Sequence, residues 1–172
     1  MPNFDLVHRP AFKAAQAPSS EAFAMQAMPE GTLIQVLGDP SGANLADMLR
    51  DLFGGDANAV RSFGPGQWLL VRDQRTSHSD LQALLARLAP HAFGVDQSHG
   101  RVRIEVAGWA ATSVLAKGTA LDFERIGTGQ SAMTMMGHIS VHLTRTRTET
   151  FELVVLRGFA ESLWEEIANM AA

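Results

Sequence analysis

His138 and His142 stand four residues apart, a spacing that on a helix would suggest a metal site. The residues around them alternate instead, with Ile139, Val141 and Leu143 set against His138, Ser140, His142 and Thr144. Alternation is the period of a strand. At strand rise, side chains four residues apart are separated by about 13 Å, too far to share one ion. The polar set therefore reads as a strand face turned to solvent or to a partner. His99 precedes Gly100 and suits a tight loop or an interface, while His8, His78 and His91 have no convincing acidic partner nearby.

Other chemistries find less support. No Gly-x-Ser-x-Gly elbow is present. Cysteine is absent, which removes disulfides, thiolate metal ligands and a Cys nucleophile. Gly127-Thr128-Gly129 lacks the third glycine and the lysine of phosphate-binding loops and reads as a plain loop. Met133, Met135 and Met136 cluster beside Gly137 and fit either an adaptable binding surface or core filling. The chain has 172 residues, 46% hydrophobic and 19% charged, with a net charge of -4. That is a globular composition without the basic patch that nucleic-acid binding requires. No apolar run approaches the roughly 20 residues of a membrane span. The N-terminus has no basic stretch leading into an apolar one, so a cytoplasmic chain is expected.

The elements that position these residues can be read from periodicity. Residues 1–30 are rich in Ala, Pro, Ser and Gln, with Phe4, Leu6, Val7, Phe12 and Phe23 scattered among them, and read as an N-terminal arm lying along a surface. Residues 31–172 read as one α+β domain. Thr32–Leu37 is a strand, and Asp39-Pro40 fits the cap and first position of a helix over 41–53. Gln67–Arg72 is an apolar strand. Ser77 or Ser79 caps a helix carrying Leu81, Leu84, Leu85 and Leu88, ended by Pro90. Arg101–Ala107 alternates, with Val102, Ile104 and Val106 opposite Arg101, Arg103 and Glu105. A short helix follows at 109–117. His138–Thr146 and Thr150–Leu156 form a hairpin. A last helix carries Phe159, Leu163, Ile167 and Met170 on one stripe, and its Trp164 fits an interface or a half-buried core position.

Each half, 31–91 and 92–172, thus reads strand–helix–strand(s)–helix, as expected of a repeated strand–helix–strand–strand–helix unit. Ile34-Gln35-Val36-Leu37-Gly38 is echoed 70 residues later by Ile104-Glu105-Val106-Ala107-Gly108. The pattern implies a duplicated unit, its two pseudo-symmetric halves packed about a shared core.

Gly94-Val95-Asp96-Gln97-Ser98-His99-Gly100-Arg101 resembles the DxSHxG loop of the folate-binding aminomethyltransferase group. That group includes the glycine-cleavage T-protein and the folate domains of sarcosine and dimethylglycine oxidases. Within it, the chain is most similar to the gamma subunit of heterotetrameric sarcosine oxidase. Gly64-Pro65-Gly66-Gln67-Trp68-Leu69-Leu70 resembles that family's GPxxWLL, and Val114-Leu115-Ala116-Lys117-Gly118 with Leu121-Asp122 its VLAKGxxLDL. Arg157-Gly158-Phe159-Ala160-Glu161-Ser162-Leu163-Trp164 resembles its RSFAxSLW.

The resemblance implies an aminomethyltransferase folate-binding-type fold. It also implies partnership with alpha, beta and delta subunits in a complex that uses FAD, FMN, NAD and tetrahydrofolate to demethylate sarcosine. Two departures from the T-protein pattern bear on catalysis: Val141 and His142 stand where it carries a catalytic aspartate, and Arg157 where it carries an asparagine. The expectation is a subunit with no catalytic residue and no cofactor of its own. Asp96, Ser98 and His99 are the candidates for a folate loop, and Arg101, His138, His142, Arg157 and Trp164 the candidates for an interface. The alternatives are a free-standing folate-binding or aminomethyltransferase-like protein, or an interaction module of another amine-oxidising complex.

Overall fold

The computed structural model describes residues 10, 19–40, 44–54, 56–89 and 91–172. The chain runs β1 (Ala24–Ala27), β2 (Thr32–Gly38), α1 (Leu45–Phe53), β3 (Val60–Gly64), β4 (Gln67–Arg72) and α2 (His78–Leu88). It continues β5 (Ala92–Asp96), β6 (Arg101–Ala107), α3 (Ala111–Leu115), β7 (Ser131–Met136), β8 (Ile139–Arg147), β9 (Thr150–Leu156) and α4 (Ala160–Ala171). The mixed α+β class is the one expected from periodicity.

Two antiparallel sheets result, ordered β3-β4-β2-β5 and β1-β6-β9-β8-β7. The echoed strands hold equivalent places: β2 lies between β4 and β5, and β6 between β9 and β1. The strand just ahead of the first half joins the second half's sheet, and the strand that opens the second half joins the first half's sheet. β1 pairs with β6 in the register Met25↔Val106, and β5 pairs with β2 in the register Val36↔Gly94. This exchange interlocks the two halves.

β1 corrects the expected arm. Residues 24–27 are part of the second sheet, and Phe23 and Met25 are buried in its core. Four residues are too few to show a period, so only pairing with β6 defines this strand. Phe4, Leu6, Val7 and Phe12 lie outside the described residues. The start of α1 is corrected too. Asn44, just ahead of Leu45, has a φ of 78°, the left-handed conformation that asparagine tolerates and a helix does not. The helix therefore begins after it rather than at 41, and residues 41–43 lie outside the described set.

α2 follows its sequence signals. The Ser77 hydroxyl accepts a bond from the Asp80 amide at 3.1 Å, which settles the choice between the two serines. The helix can lie close against β5 because Gly94 has no side chain: a Cβ there would come within 2.5 Å of Leu85 Cδ2.

The expected shared core is replaced by three buried layers. α1 and α2 cover one face of the four-stranded sheet, on Ile34, Val36, Leu49, Phe53 and Leu70. α3 and α4 cover one face of the five-stranded sheet, on Ile104, Leu143, Leu153, Leu163 and Ile167. Between the sheets lies a smaller layer, Leu33, Leu69, Val71 and Val154 with Phe63 against them. No helix among the described residues is long and apolar enough to cross a membrane.

Candidate functional site

Register fixes which side chains share the inner face of the five-stranded sheet. Arg103 sits opposite Val154, Val154 opposite His142, and His142 opposite Met133. In the next row Glu105 faces Glu152 and Glu152 faces Thr144. β3 lies over this face and adds Arg61 and Phe63. A face this polar could stay solvated on an open sheet, but here a second sheet covers it.

The covered charges are matched. Glu152 is buried and accepts bonds from Arg61 Nη1 at 2.6 Å and Nη2 at 3.1 Å, and from Arg103 Nε at 2.7 Å and Nη2 at 2.9 Å. Arg103 Nη1 reaches Asp73 at 2.7 Å, and Arg61 Nε donates to the Asn58 carbonyl at 2.8 Å. Burial pulls the Glu152 carboxyl upward, but the two guanidiniums outweigh it and hold it at about 2. Burial likewise acts to lower the Arg103 guanidinium, and the Glu152 and Asp73 carboxylates more than reverse it, leaving it raised. A cleft of about 280 Å³ opens over this cluster, lined among others by Asp56, Asn58, Arg61, Asp73, Arg103 and Glu152. Every guanidinium nitrogen of the two buried arginines already has an acceptor within the chain. An anionic ligand would have to displace Glu152 to reach them.

His142 corrects the expectation of an open strand face. It and Thr144 are fully buried, while Ser140 on the same strand stays exposed. The reason is β3, whose Ser62 carbonyl lies 2.8 Å from His142 Nε2 and whose Phe63 stacks on the imidazole at 5.2 Å. A carbonyl accepts, so Nε2 carries the proton in the neutral ring, and Nδ1 is left buried without a hydrogen-bond partner among the described residues. Burial is the main cause that lowers the imidazole pKa to about 4; Arg61 and Arg101 add to it, and the Ser62 bond offsets only part.

The Asp96–Gly100 loop is a splice between the sheets. The Ser98 hydroxyl accepts from the Leu33 amide at 3.0 Å and donates to Asp96 Oδ1 at 2.6 Å. Asp96 Oδ1 also accepts from the Ser98 amide at 2.9 Å. The Gly100 carbonyl accepts from the Arg157 amide at 2.9 Å, tying the loop to the end of β9. Asp96 Oδ1 and the Ser98 hydroxyl are thus engaged in closing the loop. His99 is exposed.

The remaining candidates scatter. His138 is exposed in the turn before β8. Arg157 reaches toward Glu30 at 3.6 Å. Trp164 is buried against α3 and the five-stranded sheet, so it belongs to the core and not to an outer interface. Phe159, expected on the helix stripe, precedes α4 and is 51% exposed. Met136 is buried, whereas Met133 and Met135 stay partly exposed on the edge strand β7. Val141 is buried in the outer core, so neither it nor the neutral imidazole beside it supplies a carboxylate. Arg61, Asp73, Arg103 and Glu152 were not picked out by spacing. Their sequence signals are that Arg103 falls on the polar side of an alternating strand and that Glu152 interrupts the otherwise apolar run from Phe151 to Leu156. No three His, Asp or Glu side chains among the described residues lie close enough to hold a metal.

Neither a family model nor a curated protein matches this sequence. Solved structures do. A chain of the heterotetrameric sarcosine oxidase from Corynebacterium sp. U-96, in complex with pyrrole 2-carboxylate, superposes with a TM-score of 0.73 at 21% identity, covering 94% of this chain and 92% of that one. The glycine cleavage system aminomethyltransferase T from Bartonella henselae superposes with a TM-score of 0.60 at 17% identity over 83% of this chain. This chain spans only 44% of that protein. The regulatory subunit of aspartate kinase from Thermus thermophilus follows with a TM-score of 0.51 at 14% identity. At these identities the likeness is one of fold, and it is the aminomethyltransferase-type fold that the sequence resemblance implied.

Proposed function

We propose that this chain is a non-catalytic subunit of the gamma type in a heterotetrameric sarcosine oxidase. In this reading it supports assembly with alpha, beta and delta subunits. The complex demethylates sarcosine oxidatively to glycine and passes the one-carbon unit to tetrahydrofolate, with FAD, FMN and NAD held by the other subunits. The observation that carries the reading is the end-to-end correspondence with a chain of such an oxidase, 94% of one covering 92% of the other. The self-neutralised cleft adds support, because its arginines are engaged by Glu152 and Asp73. Co-expression with alpha, beta and delta subunits, followed by affinity capture through a tag on the alpha subunit, tests the reading. Stoichiometric recovery of this chain is expected; its absence from the captured complex contradicts the assignment.

A second reading, a free-standing folate-binding protein, is favoured by the likeness to aminomethyltransferase T over 83% of this chain. Calorimetric titration of the isolated chain with tetrahydrofolate separates the two. Micromolar binding by the lone chain selects the second reading, and no heat of binding selects the first.

A further inference from the structure

Arg101 differs from the two arginines beside it. Arg61 and Arg103 have an acceptor on every guanidinium nitrogen. Arg101 Nε is buried with no hydrogen-bond partner among the described residues. Its guanidinium carbon lies 5.3 Å from the centre of the Phe63 ring, a favourable place for a cation but not a counter-ion. Burial lowers its pKa, and no carboxylate among the described residues acts to restore it.

The surroundings of this cation are mixed and partly open, with His142 close enough to feel its charge. Leu156 is its register partner across β6 and β9, and is 45% exposed. Phe159, three residues further on, is also exposed. On the other side a pocket of about 70 Å³ is lined by Arg101 together with Pro29, Leu33, Ser98, Val102 and Glu30. Glu30 is engaged elsewhere: its Oε2 accepts from Arg75 at 2.8 Å and its Oε1 faces Arg157.

We propose that Arg101 is the anchor of a protein-docking surface and receives a glutamate or aspartate side chain of a partner subunit, whose apolar neighbours cover Leu156. Charge complementarity selects the occupant. A half-buried guanidinium without an acceptor is completed by a carboxylate, which it binds through two parallel bonds. A free anion would satisfy the charge and leave the adjoining Leu156 in water. A protein segment covers the charge and the leucine together, and arginine is one of the residue types enriched in binding hot spots.

The proposal rests on the subunit reading, and its test separates the two. Wild-type, Arg101→Met and Arg101→Lys chains are titrated into the alpha–beta–delta complex, and their dissociation constants compared. Methionine keeps the apolar stem and removes the charge. It is expected to weaken binding about thirtyfold, the usual cost of stripping one partner from a buried charge pair, with lysine in between. Binding by Arg101→Met within twofold of wild type overturns the proposal. If the wild-type chain itself does not bind the complex, the subunit reading falls, and a second experiment decides Arg101 alone. The side-chain Nε resonance of Arg101 in the isolated chain is then followed by NMR during titration with a capped glutamate and with a capped glutamine. A saturable shift with glutamate only upholds the carboxylate site. Equal responses, or none, overturn it.

Discussion

The layers beneath the helices and the layer between the sheets are both buried, yet they are built from different chemistry. Under α3 and α4 the contacts are Ile104, Leu143, Leu153, Leu163, Trp164 and Ile167, with no charge among them. Between the sheets, Leu33, Leu69, Val71 and Val154 share their layer with Arg61, Arg103, Glu152 and His142. The first kind of layer is held by apolar area removed from water, and it loses stability in proportion to the methylenes removed. The second depends on completeness. Its charges are tolerable only because each has its partner, and removing one partner leaves another buried and unmatched.

That contrast can be broken at several points. Glu152→Gln should have the largest effect, because it leaves two buried guanidiniums facing a neutral amide. A loss of about 3–5 kcal/mol in denaturant unfolding is expected. Replacing Arg61, Arg103 and Glu152 together by apolar residues of similar volume should recover most of it; a triple variant no more stable than Glu152→Gln would show that the layer is not governed by pairing. Leu163→Ala probes the outer layer and should cost about 2–4 kcal/mol through a cavity alone. Unlike the Glu152 variant, its loss should not change with pH.

The pH dependence sharpens the contrast further. His142 has its pKa lowered from 6.5 to about 4 on folding, so the unfolded chain takes up a proton that the folded chain refuses. Its contribution is fully present above pH 6.5 and is lost as pH falls toward 4, by about 2–4 kcal/mol in all. Glu152 is lowered from 4.5 to about 2, so its contribution is lost in a separate window below pH 4.5. His142→Phe should flatten the stability profile between pH 6.5 and 4 and leave the lower window in place. An unchanged profile would remove His142 from the account. The smallest expected effect is at the splice. Ser98→Ala deletes the bonds to Leu33 and Asp96 at a cost of about 1 kcal/mol, read as a shift in thermal midpoint.

The outer layers were the legible ones. The bounds of β6 and β9 and the leucine face of α2 follow directly from alternation and helical period. β1 and β5 were hidden for a physical reason: each is a short strand given its place by pairing in the opposite half's sheet. The inner layer was hidden for another. Alternation puts Arg103 and His142 each on the polar face of its own strand, but it does not say whether water or a second sheet lies over them. The answer depends on Arg61, Ser62 and Phe63, which come from β3, some 90 residues before Glu152 in the chain. Of the candidate site, the DxSHxG-like segment was legible as a loop, but the bonds by which Ser98 ties it to Leu33 and to Asp96 were not.

Native mass spectrometry of the oxidase purified after co-expression with this chain tests the central claim most directly. One copy of this chain per alpha–beta–delta assembly, with flavin mass found only on the other subunits, is the predicted result. A complex lacking this chain, or flavin or folate carried by the chain alone, would contradict it.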